Sequence, residues 1–303
     1  EKREKVLSVL KDIDYQIPEN TRKAGIRRIH TIGVVVSEMT NPYFLSAFEG
    51  IASVADQYDI DVVFYNSDRN PEKEIRALKR LKEMQVQGII IAPTLDFDNF
   101  QSSQRFGEAM NNTKIPIVFM DATAELDERD GVFFDNFAGA FKAVDAMIQA
   151  GHREIGILTG DRRIKTVRDR FRGYCKALEV NGIERRDNFI LEGDFTREGA
   201  YRTAKEYLKN GKMPQAIFTC NNFTTEGFFK AVLEEKLVLG QDIFCMAFDE
   251  LEQFDMFGLN YSYLERNPWE MGKAAMEMLL ERLKNPSILC TRKIIPFHII
   301  MNS

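Results

Sequence analysis

The sequence predicts an α/β fold of two similar lobes, each a parallel sheet with helices on both faces. Three observations carry that expectation. Short β-branched apolar runs alternate with amphipathic stretches from residue 31 onward, the pattern that builds parallel sheets. The same rhythm repeats in the second half of the chain. The length, 303 residues, suits two domains.

The elements follow in order. Val6, Leu7, Val9, Leu10 and Ile13 recur at helical spacing, on a helix too short to bury that stripe alone. Residues 15–30 hold Pro18, Gly25 and five basic side chains counting His30, the composition of a linker. Ile32–Val36 is all apolar except Gly33, as in a strand buried on both faces. Asn41-Pro42 marks a turn into a helix reaching about Tyr58. Strand Asp61–Tyr65 follows, and Pro71 opens a helix to about Met84, since proline suits a first helical turn. Gly88–Ala92 is the third strand. A helix near 97–112 and strands Ile115–Met120 and Val132–Phe134 come next. The helix Asn136–Ala150 is stopped by Gly151,. Strand Glu154–Leu158 closes the first half. In the second half, helices Val167–Asn181, Thr196–Asn210 and Thr224–Glu235 alternate with strands Phe189–Leu191, Ala216–Thr219 and Phe244–Phe248. The tail reads as strand Leu259–Leu264, helix Pro268–Leu283 and one strand within Leu289–Met301.

Composition narrows the function. Hydrophobic residues at 44% and charged residues at 29% are ordinary for a globular chain. No apolar run approaches the roughly 20 residues of a membrane helix, so no membrane partner is expected. Cys175, Cys220, Cys245 and Cys290 stand far apart and read as reduced buried thiols of a cytosolic protein. Net charge is −5, yet residues 1–30 hold eight basic against five acidic side chains, a surplus of three. A basic arm on an acidic body suits contact with a polyanion; a solvated terminal helix has the same signature. Phosphate-loop, dinucleotide-turn, zinc-protease and nucleophile-elbow motifs are absent, and only three histidines occur. No enzyme, cofactor or metal is expected.

Open α/β sheets bind ligands beyond the carboxyl ends of their strands. Tyr43 and Phe44 follow the first strand, Asp121 the fourth, Phe195 a later turn, Asn221 the strand Ala216–Thr219, and Asp249 the strand ending at Phe248. Arg170 begins a helix after another strand. Together they offer carboxylate acceptors, a guanidinium fork, an amide and aromatic faces, a set that reads sugar hydroxyls and sugar ring faces. Each has a plainer reading: the aspartates as helix caps, Arg170 in a surface ion pair, the aromatics in the core, Asn221 in a turn.

Segments spread over nearly the whole chain, in order, carry a family resemblance. They include T-I-G-V-V-V-S-E-M-T-N-P-Y-F (31–44), V-Q-G-I-I-I-A-P (86–93), A-G-H-R-E-I-G-I-L-T-G (150–160), R-F-R-G-Y-C-K-A-L (170–178), I-F-T-C-N-N (217–222), M-A-F-D-E (246–250) and N-P-W-E-M-G-K-A-A (267–275). The chain resembles the lactose/galactose repressor (LacI/GalR) family of bacterial transcription regulators. The resemblance implies a periplasmic-binding-protein-like type I core, two Rossmann-like lobes with parallel sheets joined by three crossovers. It divides the chain into a headpiece remnant and basic hinge (1–30), an N-terminal lobe (31–158 plus 265–287) and a C-terminal lobe (159–264 plus 288–303).

It further implies a cytoplasmic homodimer that binds operator DNA and changes its operator affinity when a small effector, a carbohydrate, enters the cleft between lobes. Carried over position by position, the effector set is Tyr43, Phe44, Asp121, Thr166, Arg170, Phe195, Asn221 and Asp249. Asn222 departs from the family's usual Asp. Arg22, Lys23, Arg27 and Arg28 fall on the DNA-contacting hinge, whose apolar wedge residue is replaced by Ala24 or Gly25. The dimer face falls on the helix 72–84 and the strand that follows it, with Ile75, Leu78, Leu81 and Met84 at helical spacing. An exported sugar-binding protein of a transport system is the alternative with the same core.

Overall fold

The computed structural model describes residues 30–93, 100–121, 129–210 and 213–302. Arg22, Lys23, Arg27, Arg28 and the amphipathic stretch before them lie outside the described residues.

Two six-stranded sheets form. The first contains β1 (Thr31–Val36), β2 (Asp61–Asn66), β3 (Gly88–Ile91), β4 (Ile117–Met120), β5 (Gly131–Phe133) and β11 (Arg292–Ile294), in spatial order β11-β5-β4-β3-β1-β2. The second contains β6 (Ile155–Thr159), β7 (Ile190–Glu192), β8 (Ala216–Thr219), β9 (Phe244–Ala247), β10 (Ser262–Arg266) and β12 (Phe297–Ile300), in order β12-β10-β9-β8-β6-β7. Pairing is parallel except between β10 and β12. The central strands β3, β4, β6 and β8 are buried along their whole length, as two-sided helical cover requires.

Helices α1 (Pro42–Gln57), α2 (Pro71–Glu83), α3 (Phe100–Thr113) and α9 (Pro268–Lys284) cover the first sheet. Helices α4 (Asn136–Gln149), α5 (Lys165–Val180), α6 (Arg197–Lys209) and α7 (Asn222–Glu234) cover the second, with the short α8 (Glu252–Asp255) after β9. Three helices start on the same device: Asn41, Asn70 and Asn267 accept backbone N–H groups with their side chains, and the following proline occupies the first turn. Both choices satisfy or remove donors that a helix start leaves orphaned. Helices α1 and α9 touch backbone to backbone, because a Cβ on Gly272 would fall 1.8 Å from the Ala47 carbonyl oxygen. Met271, Ala275 and Leu279 of α9 are fully buried there; burying a side chain of Leu or Met size stabilises by about 1.5–3 kcal/mol.

The chain crosses between lobes three times, after β5, after β10 and between β11 and β12. Two boundaries expected from the sequence are wrong. Residues 135–158 belong to the second lobe, not the first: α4 packs on α5, and β6 pairs with β7 and β8. The tail 288–303 is not one second-lobe strand. Pro296 separates β11, which pairs with β5 of the first sheet, from β12, which joins the second. Apolar periodicity identifies a strand but carries no information about which sheet receives it. The thiols also differ from expectation. All four are free, but only Cys220 and Cys245 are buried, Cys290 being exposed and Cys175 intermediate. Among the described residues no helix is long and apolar enough to cross a membrane, and no His, Cys, Asp or Glu cluster could hold a metal ion.

Candidate functional site

The carboxyl ends of both sheets face one another across a cavity of about 130 Å³. Tyr43, Phe44 and Asp121 reach it from the first lobe, and Thr166, Arg170, Phe195, Asn221 and Asp249 from the second. All eight residues expected at a ligand site therefore converge on one place. Their individual roles differ.

Arg170 projects from α5 and is only 4% exposed. Its Nε donates to Asn136 Oδ1 at 2.9 Å, its Nη1 donates to the Cys220 carbonyl, and its guanidinium lies 3.6 Å from the centroid of the Phe248 ring. The surface ion-pair reading fails. Burial, with Arg266 nearby, pulls its pKa down to about 10, so it remains a cation at neutral pH.

Asp249 is no helix cap, because Leu251 occupies that position before α8. Its Oδ1 accepts from Arg266 Nε at 2.6 Å and forms an ion pair with Nη2 at 2.6 Å. Burial pushes the carboxyl pKa up, and the Arg266 and Arg170 cations oppose that rise. Asp121 accepts from the Tyr43 hydroxyl at 2.5 Å and lies 3.7 Å from Arg266 Nη1. Burial and the adjacent Asp121 charge hold the Tyr43 phenol well above its ordinary pKa, so it acts as a donor. Asp121, Phe195 and Asp249 all have positive φ, 66°, 66° and 139°. Non-glycine residues held there cost about 1–3 kcal/mol each and concentrate at functional sites.

Phe44 and Asn221 are partly structural. Phe44 is buried and edge-packed on Tyr43. Asn221 caps α7 in a reciprocal box with Thr224, and its Nδ2 reaches the Phe195 carbonyl at 3.5 Å. The turn reading of Asn221 therefore holds alongside its place in the wall. Thr166 is half-buried in the first turn of α5.

Two important residues were missed by sequence reasoning. Arg266 ends β10, sits at the second crossover, and is boxed by the rings of Tyr43, Phe134 and Phe248 at 4.3, 4.8 and 4.9 Å. Arg69, paired with Glu38 at 3.2 Å, donates across the cleft to the Phe195 carbonyl at 3.2 Å. The strand-end rule would have found Arg266 had that strand not been expected to stop at Leu264.

The expected dimer stripe behaves differently. Ile75, Leu78 and Leu81 are buried in the first lobe's own core, and only Met84 is exposed.

Residues 29–297 match the family model described as periplasmic binding proteins and the sugar-binding domain of the LacI family. The chain is 27% identical over 285 residues to the ribose operon repressor of Haemophilus influenzae, spanning 94% of this chain and 84% of that protein. A LacI-family transcriptional regulator from Enterococcus faecium, solved with bound ribose, superposes with a TM-score of 0.79 at 22% identity, over 90% of this chain and 97% of that one. A dimeric Lac repressor superposes with a TM-score of 0.79 at 23% identity, with the same coverages.

Proposed function

The chain belongs to the family of periplasmic binding proteins and LacI-type sugar-binding domains, and on that premise we propose that it is the effector-binding core of a cytoplasmic DNA-binding transcriptional repressor. A small polar ligand, a carbohydrate, occupies the cleft and alters operator affinity. The observation that carries this reading is the convergence of Tyr43 and Asp121 from one lobe with Arg170, Phe195 and Asp249 from the other on a single cavity. A ligand shifts a conformational equilibrium only by its differential affinity for the two states, and a ligand touching both lobes has that leverage over their closure. Arg170 and Asp249 bind it from the second lobe, Asp121 from the first, and Phe195 packs on its apolar face. The protein is no enzyme in this reading: Asp121 and Asp249 hold Arg266 between them instead of flanking a scissile bond.

The repressor relative favours regulation over the transport alternative, which shares the fold. Operator DNA is met through the N-terminal segment, where Arg22, Lys23, Arg27 and Arg28 contact phosphates. The dimeric Lac repressor supports a homodimer, whose face has to use surface other than the buried stripe of α2.

The test is a thermal-shift screen of this chain against neutral sugars, sugar phosphates and nucleobases, since a ligand that binds only the native state raises its stability. A sugar-class ligand should raise Tm and be recovered unaltered. No stabilisation by any class, or chemical turnover of the bound sugar, would contradict the reading.

A further inference from the structure

We propose that the cleft selects a polyol bearing an oxyanion, a carboxylate or phosphate, held between the guanidinium groups of Arg170 and Arg266. The proposal rests on the effector reading of this cleft and narrows its ligand class.

Arg170 is a buried cation without a carboxylate in direct contact; Asp249 and Asp121 act on it only from farther away. Its acceptors, Asn136 Oδ1 and the Cys220 carbonyl, are both neutral, and among the described residues no carboxylate pairs with it. A charge taken out of water without a direct partner is costly, and a ligand anion in contact with it would lower that cost.

Arg266 adds a second, independent observation. Its side chain is 3% exposed, and although Asp249 satisfies one edge, Nη1, which faces Asp121 at 3.7 Å, has no hydrogen-bond acceptor. Both guanidinium groups lean on the Phe248 ring, at 3.6 and 4.9 Å from its centroid. Two cations are thus held close together beside the cavity that both line. An oxyanion accepting from both would compensate Arg170, satisfy the orphaned Nη1 and separate like charges. Guanidinium groups recognise carboxylate and phosphate by charge-assisted bonds roughly twice as strong as neutral ones.

The carboxylates of the cleft serve the polyol part of such a ligand. Oδ1 of each is engaged, Asp249 by Arg266 and Asp121 by Tyr43, and each Oδ2 is left to accept from a ligand hydroxyl. An anionic polyol leaves both pairs in place: its hydroxyl groups meet the remaining carboxylate oxygens, and its oxyanion takes the guanidinium donors left over.

The experiment is titration calorimetry on this chain with matched pairs: glucuronate and glucose 6-phosphate against glucose, and ribose 5-phosphate against ribose. At least one charged member should bind ten-fold or more tightly than its neutral parent, and the carboxylate and phosphate arms identify which oxyanion is taken. Arg266→Gln should shrink that preference at least five-fold, while Arg266→Lys should keep part of it. The wild-type comparison stands even where a variant folds poorly. Neutral parents binding as tightly as their charged partners overturns the proposal while leaving the effector reading intact. Absence of binding by every member overturns the oxyanion assignment, and the thermal-shift screen then decides the effector reading separately. An Arg266→Gln variant that folds and keeps the full preference overturns the assignment to Arg266.

Discussion

The two walls of the cleft share an architecture and differ in how their charges are satisfied. On the first-lobe wall each charged group has a partner on its own side, Tyr43 donating to Asp121 and Arg69 pairing with Glu38, even where Asp121 and Arg69 also reach across to Arg266 and the Phe195 carbonyl. On the second-lobe wall, Arg170 has only neutral partners, and Arg266 keeps one donor without an acceptor. A buried donor left unmatched costs about 1–3 kcal/mol, more when it is charged. The contrast teaches that the first wall is a pre-organised platform, whereas the second stores unmet hydrogen-bonding capacity that a ligand can fill. Pre-organisation reduces the ordering cost of binding, and unmet donors supply the gain.

The largest expected effect is on stability and lies in the second wall. Asp249→Ala leaves the Arg266 guanidinium buried without its carboxylate, which costs about 3–5 kcal/mol. Urea denaturation of the unliganded chain measures it; a loss under about 1 kcal/mol would mean that solvent already reaches Arg266. Asp249→Asn, which keeps an acceptor oxygen, should lose less.

On the first wall, Tyr43→Phe removes a hydrogen bond to a carboxylate, a type worth about 1.5–3 kcal/mol. The loss should appear in folding stability, with ligand affinity changed less than about threefold, roughly 0.7 kcal/mol. A large loss of affinity with stability intact would show that this wall recognises ligand directly, erasing the contrast between the two.

Phe195→Ala should weaken ligand binding by about 1–3 kcal/mol through lost packing. Its backbone, at φ 66°, supplies an internal control. Phe195→Gly should bind equally weakly yet be about 1 kcal/mol more stable than Phe195→Ala, because glycine adopts positive φ without the Cβ penalty. Equal stability of the two variants would show that no strain is stored there.

Much of this was legible in the sequence, for physical reasons that also mark where legibility stops. The buried strands announce themselves as β-branched runs, and Asn-Pro pairs announce three helix starts. Sheet membership does not show, because β6 and β11 look locally like any other strands; only pairing partners distant in sequence decide where they go. The convergence of the eight wall residues followed from their strand-end positions and from family resemblance. The role of Arg266 did not, because its significance is relational: three rings and two carboxylates from distant parts of the chain surround it and leave one donor without an acceptor. Asn221 shows the converse, a residue legible as polar and well placed whose side chain is largely committed to capping α7. The α2 stripe looked like an interface and proved to be core, since helical periodicity marks a buried face without saying what buries it.

The central claim is that the second-lobe wall carries recognition, and Arg170 is its most direct probe. Titration calorimetry should compare wild type and Arg170→Ala with the tightest ligand from the thermal-shift screen, with circular dichroism confirming the fold. Losing a charge-assisted clamp predicts a drop of about 2–4 kcal/mol, roughly 30- to 1000-fold in Kd. Near-native affinity in a folded Arg170→Ala chain would contradict the account and place the ligand elsewhere.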